Sequence, residues 1–213
     1  MAVMKKNRIL VNLITFIALV AAAGCVQFGK VDQGRVIAYD KGTRTLTMIR
    51  DVTPKPRDMN VDLFFPDYTV LPPVQYRLPD DPKESGPEPK AGLRMKLDLV
   101  KKQVIVFDPG SQTLKTIDYV LVEQKENVRK DDPLVYDYHL KKARNFPEIG
   151  RGKKTITLYS SRQNTLVIFA LPEPYFDLPD STWVAGDEVR VYYKEPGIAR
   201  RFMNVSKTDI YKK

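Results

Sequence analysis

The sequence predicts an all-β fold: antiparallel hairpins forming a small barrel or sandwich with OB-like or SH3-like elements and long Pro-rich loops, after an N-terminal signal helix. Three observations predict it. A strand–turn–strand pattern recurs along the chain. The C-terminal part alternates apolar and polar residues about a Gly-Asp turn. No stretch after Cys25 carries the spacing of an amphipathic helix.

The first residues follow export grammar. Lys5, Lys6 and Arg8 precede an apolar run from Ile9 to Ala23, and small residues lead into Cys25. That run is shorter than the roughly 18 residues a spanning helix needs, so residues 1–24 read as a signal peptide. Ala22-Ala23-Gly24-Cys25 resembles the lipobox of bacterial prolipoproteins, with Ala22 where leucine is commonest. The resemblance implies cleavage before Cys25 and lipidation of its thiol, and ordinary secretion with a free thiol is the alternative. Cys25 is the only cysteine in the chain, so no internal disulfide can form. A lone exported thiol is a redox liability that a lipid removes. Val26, not Asp, follows it. By resemblance to sorted lipoproteins, this implies an outer membrane with the domain facing the periplasm, or the cell surface in a one-membrane host.

After a tether, 25–33, a β-rich domain is expected over 34–213. Val36 to Ile49 aligns with Val104 to Ile117, with seven of fourteen positions identical. A weaker copy, Ile156 to Ile168, keeps Tyr159, Thr165 and Leu166. In each strong copy β-branched and aromatic residues form the flanks. Asp40 and Asp108 open the turn by accepting backbone N–H bonds. Gly42 and Gly110 are expected to supply a positive φ, and Pro109 pre-sets the turn after Asp108. The uneven spacing of the copies favours shared hairpin grammar over a duplicated half-domain.

Toward the C-terminus, Gly186-Asp187 precedes a strand with Val189, Val191 and Tyr193 on one face. Lys194 to Gly197 form a turn, and a return strand is expected to put Ala199, Arg201, Met203 and Val205 on one face. Such an arrangement is common in small closed barrels and carries no function by itself. Residues 78–92, with four prolines and two glycines, cannot form a helix or a central strand and read as a Pro-rich excursion. Thr53 to Pro56 and Leu71-Pro72-Pro73 read as shorter loops, and the polar span Glu123 to Lys154 as long loops. Strands before and after the excursion are expected to share one core. Two sub-barrels, 34–77 and 93–213, are the alternative.

The chain holds 35 basic and 26 acidic residues; without Lys5, Lys6 and Arg8 the excess is 32 against 26. This mild surplus suits anionic headgroups or acidic proteins as well as an ordinary solvated surface. It is not clustered with aromatics, so nucleic acid is not expected as a partner. His139 is the single histidine, which with a lipidated Cys25 rules out the usual zinc and haem attachment sets. No nucleophile elbow, phosphate loop or EF-hand loop is present. Asp177, Asp180 and Asp187 near Trp183 are the remaining carboxylate candidates for glycoside chemistry. Asp180 and Asp187 equally suit turn starts, and Trp183 a core position.

The segments Gly34 to Asp40, Leu78 to Pro89 and Gly186 to Gly197 resemble a family of uncharacterised lipoproteins from sulfate-reducing proteobacteria. The resemblance covers nearly all of the chain after Cys25 and carries over no functional residues. The expectation is therefore a non-enzymatic, lipid-anchored envelope module without a cofactor or metal, with the membrane and an envelope protein as partners. The alternative is a barrel binding a small anion or sugar through Arg190, Tyr192, Lys194, Arg200 and Arg201. A carboxylate-dependent hydrolase is the third reading.

Overall fold

The structure is a computed structural model that describes residues 29–52, 68–161 and 163–208. The signal peptide, Cys25 and the Thr53–Pro56 loop lie outside the described residues.

The chain is all-β. Strand β1 (Lys30–Asp40) pairs with β2 (Thr45–Arg50), and β2 with β3 (Val70–Arg77), as an antiparallel meander. Next come β4 (Arg94–Asp98), β5 (Gln103–Asp108), β6 (Thr113–Asp118) and β7 (Val120–Lys125). Short strands β8 (Tyr136–Asp137), β9 (Lys142–Ala143) and β10 (Glu148–Gly150) precede β11 (Thr155–Ser160) and β12 (Thr165–Ala170). The final hairpin is β13 (Glu188–Glu195) and β14 (Ile198–Asn204).

The first three and last two strands close a barrel in the order β1-β13-β14-β3-β2. β14 runs parallel to β3, and the other mapped pairs of the barrel are antiparallel. This is a five-stranded Greek-key barrel of the OB kind. Its core holds Val36, Leu46, Met48, Tyr76, Val189, Val191 and Phe202. The chain therefore does not divide at 34–77 and 93–213: its last hairpin returns to complete the barrel begun by its first strands. β1 also starts within the expected tether. Its polar residues are fixed by side-chain bonds, as Asp32 accepts from the Tyr76 hydroxyl at 2.5 Å and Gln33 donates to Glu188 at 2.5 Å.

The intervening segment builds the two-stranded β8-β9 ribbon and two larger sheets, β4-β5-β6 and β10-β11-β12-β7. The chain passes from one to the other through Tyr119, whose ring lies 4.7 Å from that of Phe169. Between them lies the largest apolar cluster, including Val104, Val106, Ile156, Val167, Phe169 and Trp183. Burying each such side chain is worth about 1.5–3 kcal/mol. On its other face the three-stranded sheet meets the barrel through Ile49, Tyr68, Met95 and Phe107, with Ile37 and Ile105 beside them. β5 is thus packed on both faces, with Val104 and Val106 facing one layer and Ile105 and Phe107 the other. Its unbroken apolar run suits a strand covered twice.

Five hairpins share one turn. Asp40 pairs with Thr45, Asp98 with Gln103, Asp108 with Thr113, Asp137 with Lys142 and Ser160 with Thr165. Each aspartate accepts backbone N–H bonds from the turn, such as Gly42 at 2.8 Å, Lys101 at 2.9 Å, Gly110 at 3.0 Å and His139 at 2.9 Å. The left-handed residue is not the glycine. It is the last turn residue: Arg44, Lys102, Gln112, Lys141 and Asn164, with φ between 49° and 54°. Gly42 and Gly110 instead leave room for the aspartate oxygen, which would lie 3.3 Å and 3.4 Å from an added Cβ.

Leu71-Pro72-Pro73 belongs to β3 rather than to a loop. β3 meets β14 only at Arg77, so the prolines' missing N–H groups break no ladder there. The polar span Glu123–Lys154 likewise contains β8, β9 and β10. The Pro-rich excursion is irregular as expected, yet it is fastened. Ser85 bridges Phe202 in parallel, the Gly86 amide donates to the Phe202 carbonyl at 3.0 Å, and the Phe202 amide donates to that of Glu84 at 2.8 Å. This strap follows β14 where β3 diverges.

Candidate functional site

The five basic and aromatic residues expected on the final hairpin are only partly brought together. Tyr193 pairs with Ala199 but Tyr192 pairs with Arg201, so Arg200 is an extra residue in β14. This bulge breaks the alternation. Ala199 and Phe202 face the core, while Arg200 and Arg201 both lie outside. The expected single face of Ala199, Arg201, Met203 and Val205 is replaced accordingly.

Tyr192, Arg200 and Arg201 then line one shallow depression with Glu84 from the strap. The Glu84 carboxylate takes Arg201 in a two-pronged pair, at 2.6 Å and 3.2 Å, and is held below its usual range by that bond. Arg200 bonds Glu195 at 3.2 Å. Arg190 points to Gln33 at 2.7 Å, and Lys194, a second extra residue, does not line the depression. An anion arriving there would meet arginines already holding carboxylates.

Of the carboxylate candidates, Asp177 is exposed at the end of the 3-10 turn Glu173–Asp177, and Asp180 and Asp187 serve structure. Trp183 is buried in the central cluster. Asp180 pairs with Arg151 at 2.5 Å. Asp187 accepts from the Lys90 amide and the buried Asn204 amide group, each at 2.8 Å, with Lys207 at 3.4 Å. Asn204 also reaches the Pro87 carbonyl at 3.4 Å, which fastens the excursion to the barrel. His139 is exposed in the β8–β9 turn. Among the described residues, no three His, Cys, Asp or Glu come together.

A cavity of about 650 Å³ opens elsewhere, and nothing in the sequence pointed to it. β4 forms one wall and the β11–β12 hairpin the other, with Leu97, Leu99, Leu158 and Val167 facing into it. Its volume and mixed lining are those of small-molecule sites. Arg35 from β1 and Arg94 from the start of β4 lie at the end next to the barrel. Arg35 stacks on Tyr68, 4.5 Å from the ring centre, and donates to the Gly186 carbonyl at 2.7 Å. Its Nε is buried without a partner among the described residues. Arg94 is positioned by the turn at Asp180–Thr182: its Nε donates to the Trp183 carbonyl at 2.9 Å and its amide to that of Val184 at 2.9 Å. Burial, and then the Arg35 charge, pull the Arg94 guanidinium down to about 10, which leaves it charged at neutral pH. Burial raises the Tyr68 hydroxyl well above its usual range, so it stays protonated. Among the described residues neither arginine has a carboxylate within 4.0 Å, whereas thirteen other ion pairs form.

Sequence reasoning missed both arginines for a physical reason. Arg94 alternates with Leu93 and Met95 as a solvent-facing residue would, and Arg35 sits beside a glycine in a strand whose partners are remote.

The fold defines an all-β protein: a Greek-key barrel carrying an inserted pair of sheets and a basic-ended cleft. The chain belongs to the family described as domain of unknown function DUF4881, whose model matches residues 27–213. No curated protein and no solved structure matches it.

Proposed function

We propose that this chain is a lipid-tethered module of the cell envelope that binds a small anionic ligand without transforming it. The basic, apolar and small-residue zones before Cys25 support export and acylation, with Val26 favouring an outer membrane and a periplasm-facing domain. The resemblance of Gly34 to Asp40, Leu78 to Pro89 and Gly186 to Gly197 to uncharacterised lipoproteins of sulfate-reducing proteobacteria supports the same reading. The observation that carries the binding reading is the pair of charged arginines at the inner end of the cleft with no carboxylate of the described residues beside them. A half-buried charge is costly unless paired, and a bound anion would supply the partner. The final hairpin ranks second as an anion site, because Glu84 and Glu195 already occupy Arg201 and Arg200.

Two measurements on the full chain expressed in a bacterial host test this. Mass spectrometry of the membrane fraction is expected to find Cys25 acylated at the mature N-terminus; an unmodified thiol there removes the tether. Thermal melting against a panel of organic anions is expected to show stabilisation that Arg94→Met abolishes. Indifference of the wild-type protein to every anion removes the binding reading.

A further inference from the structure

The cleft is lined by apolar surface as well as by charge, and together they specify more than an anion. Arg35 and Arg94 gather positive charge at the end beside the barrel, with the Tyr68 hydroxyl 3.3 Å from Arg35. From there the cleft follows β4 toward the turn after Asp98; along that path Leu97, Leu99, Leu158 and Val167 supply apolar wall, and Lys96, Asp98 and Lys101 line its rim side by side with them. A strand of this length spans about 16 Å. An inorganic phosphate or a sugar would fill the basic end and leave the apolar walls wet.

We propose that the ligand is a single-tailed anionic amphiphile, its carboxylate or phosphate head on Arg35 and Arg94 and its unbranched tail along β4. This rests on the cleft being the binding site. The guanidinium of Arg94 presents a planar fork matched to either head. Arg35, held by Tyr68 and the Gly186 carbonyl, is pre-ordered beside it. No bond is made or broken.

Isothermal titration of the full chain with n-alkyl carboxylates from eight to sixteen carbons tests the tail. All concentrations are kept below micelle formation. Affinity is expected to rise about fourfold per added methylene, then level off once the tail fills the cleft. Alkyl phosphates of equal length test the head: binding of carboxylates alone, phosphates alone or both identifies the source of the shared chemistry. The matching alcohols are expected to bind at least tenfold more weakly. Arg94→Lys, which keeps a charge but loses the fork, is expected to weaken the acids and leave the alcohols unchanged. Leu99→Trp, at a half-buried position of the apolar wall, is expected to cut the chain-length plateau short. Affinity independent of tail length, or equal for acid and alcohol, overturns the amphiphile. If short organic anions still stabilise the wild type and depend on Arg94, the cleft reading survives that failure; if none does, both fall.

Discussion

A single turn chemistry governs five of the hairpins, and its demands fall on particular residues. The aspartate at the head of four of them gathers backbone N–H groups, and the residue before the return strand adopts left-handed φ. That conformation is unfavourable for a residue with a Cβ. Lys102→Gly is therefore expected to stabilise the protein by about 0.5 kcal/mol, measured by urea denaturation, since the relief exceeds the entropy lost with glycine. Arg44→Gly is expected to gain nothing, because the Arg44 guanidinium holds the Pro79 carbonyl at 2.5 Å and Ser85 at 3.0 Å. Asp108 adds a pH dependence. Lys115, then Ser111 and the Gly110 amide, depress its carboxyl to about 2. A depressed carboxyl contributes stability fully above its unfolded pKa of about 3.9 and loses it as pH falls toward 2. Asp108→Asn is expected to flatten that acid limb in thermal melts between pH 5 and 2. Asp40 and Asp108 are legible in the sequence; the left-handed residues are not, because the glycine nearby is the commoner source of positive φ. The turns at Asp98 and Asp137 contain no glycine and gave no local sign of themselves.

Among the elements, packing overrode alternation at two places. β14 follows period two only as far as Arg200, where an inserted residue turns both arginines outward. No spacing in Ala199 to Val205 announces a bulge. β3 keeps its prolines because its neighbour is almost absent, which is a fact of the partner and not of β3 itself. Where the barrel meets the inserted sheets, backbones approach too closely for side chains. A Cβ on Gly186 would collide with the Val36 carbonyl oxygen and lie 3.1 Å from the Gly92 amide. Gly186→Ala is expected to cost at least about 3 kcal/mol by urea denaturation. Gly152→Ala, with nothing within 4 Å of the added carbon, is expected to change stability by less than about 0.5 kcal/mol. In the sequence Gly186 has the look of half a turn dipeptide, and a crossing chain far away in sequence leaves no local mark.

For the molecule as a whole, the doubly packed β5 couples the barrel to the sheets. Phe107 touches the barrel side while its neighbour Val106 lies in the central cluster. Trp183, the single tryptophan, reports on that cluster alone. Urea unfolding followed by its fluorescence and by far-ultraviolet circular dichroism is expected to give coincident midpoints, and Phe107→Ala to lower the unfolding free energy from both probes by about 3–5 kcal/mol. Separate midpoints would show that the two parts melt independently. The all-β class was legible because hairpin chemistry is local. The barrel's closure was not, since strands that meet from opposite ends of the chain carry no shared signature. The same holds for the cleft, whose walls come from β4 and a hairpin well beyond it.

The return of β13 and β14 to the barrel has a kinetic meaning. When the chain emerges from its N-terminal end, β1, β2 and β3 come first but lack the partners that close them until residues 188–204 have followed. The hairpins made in between need only their immediate neighbours, and near contacts form before distant ones. Assembly would then run from the middle outward, with the oldest strands the last to find shelter.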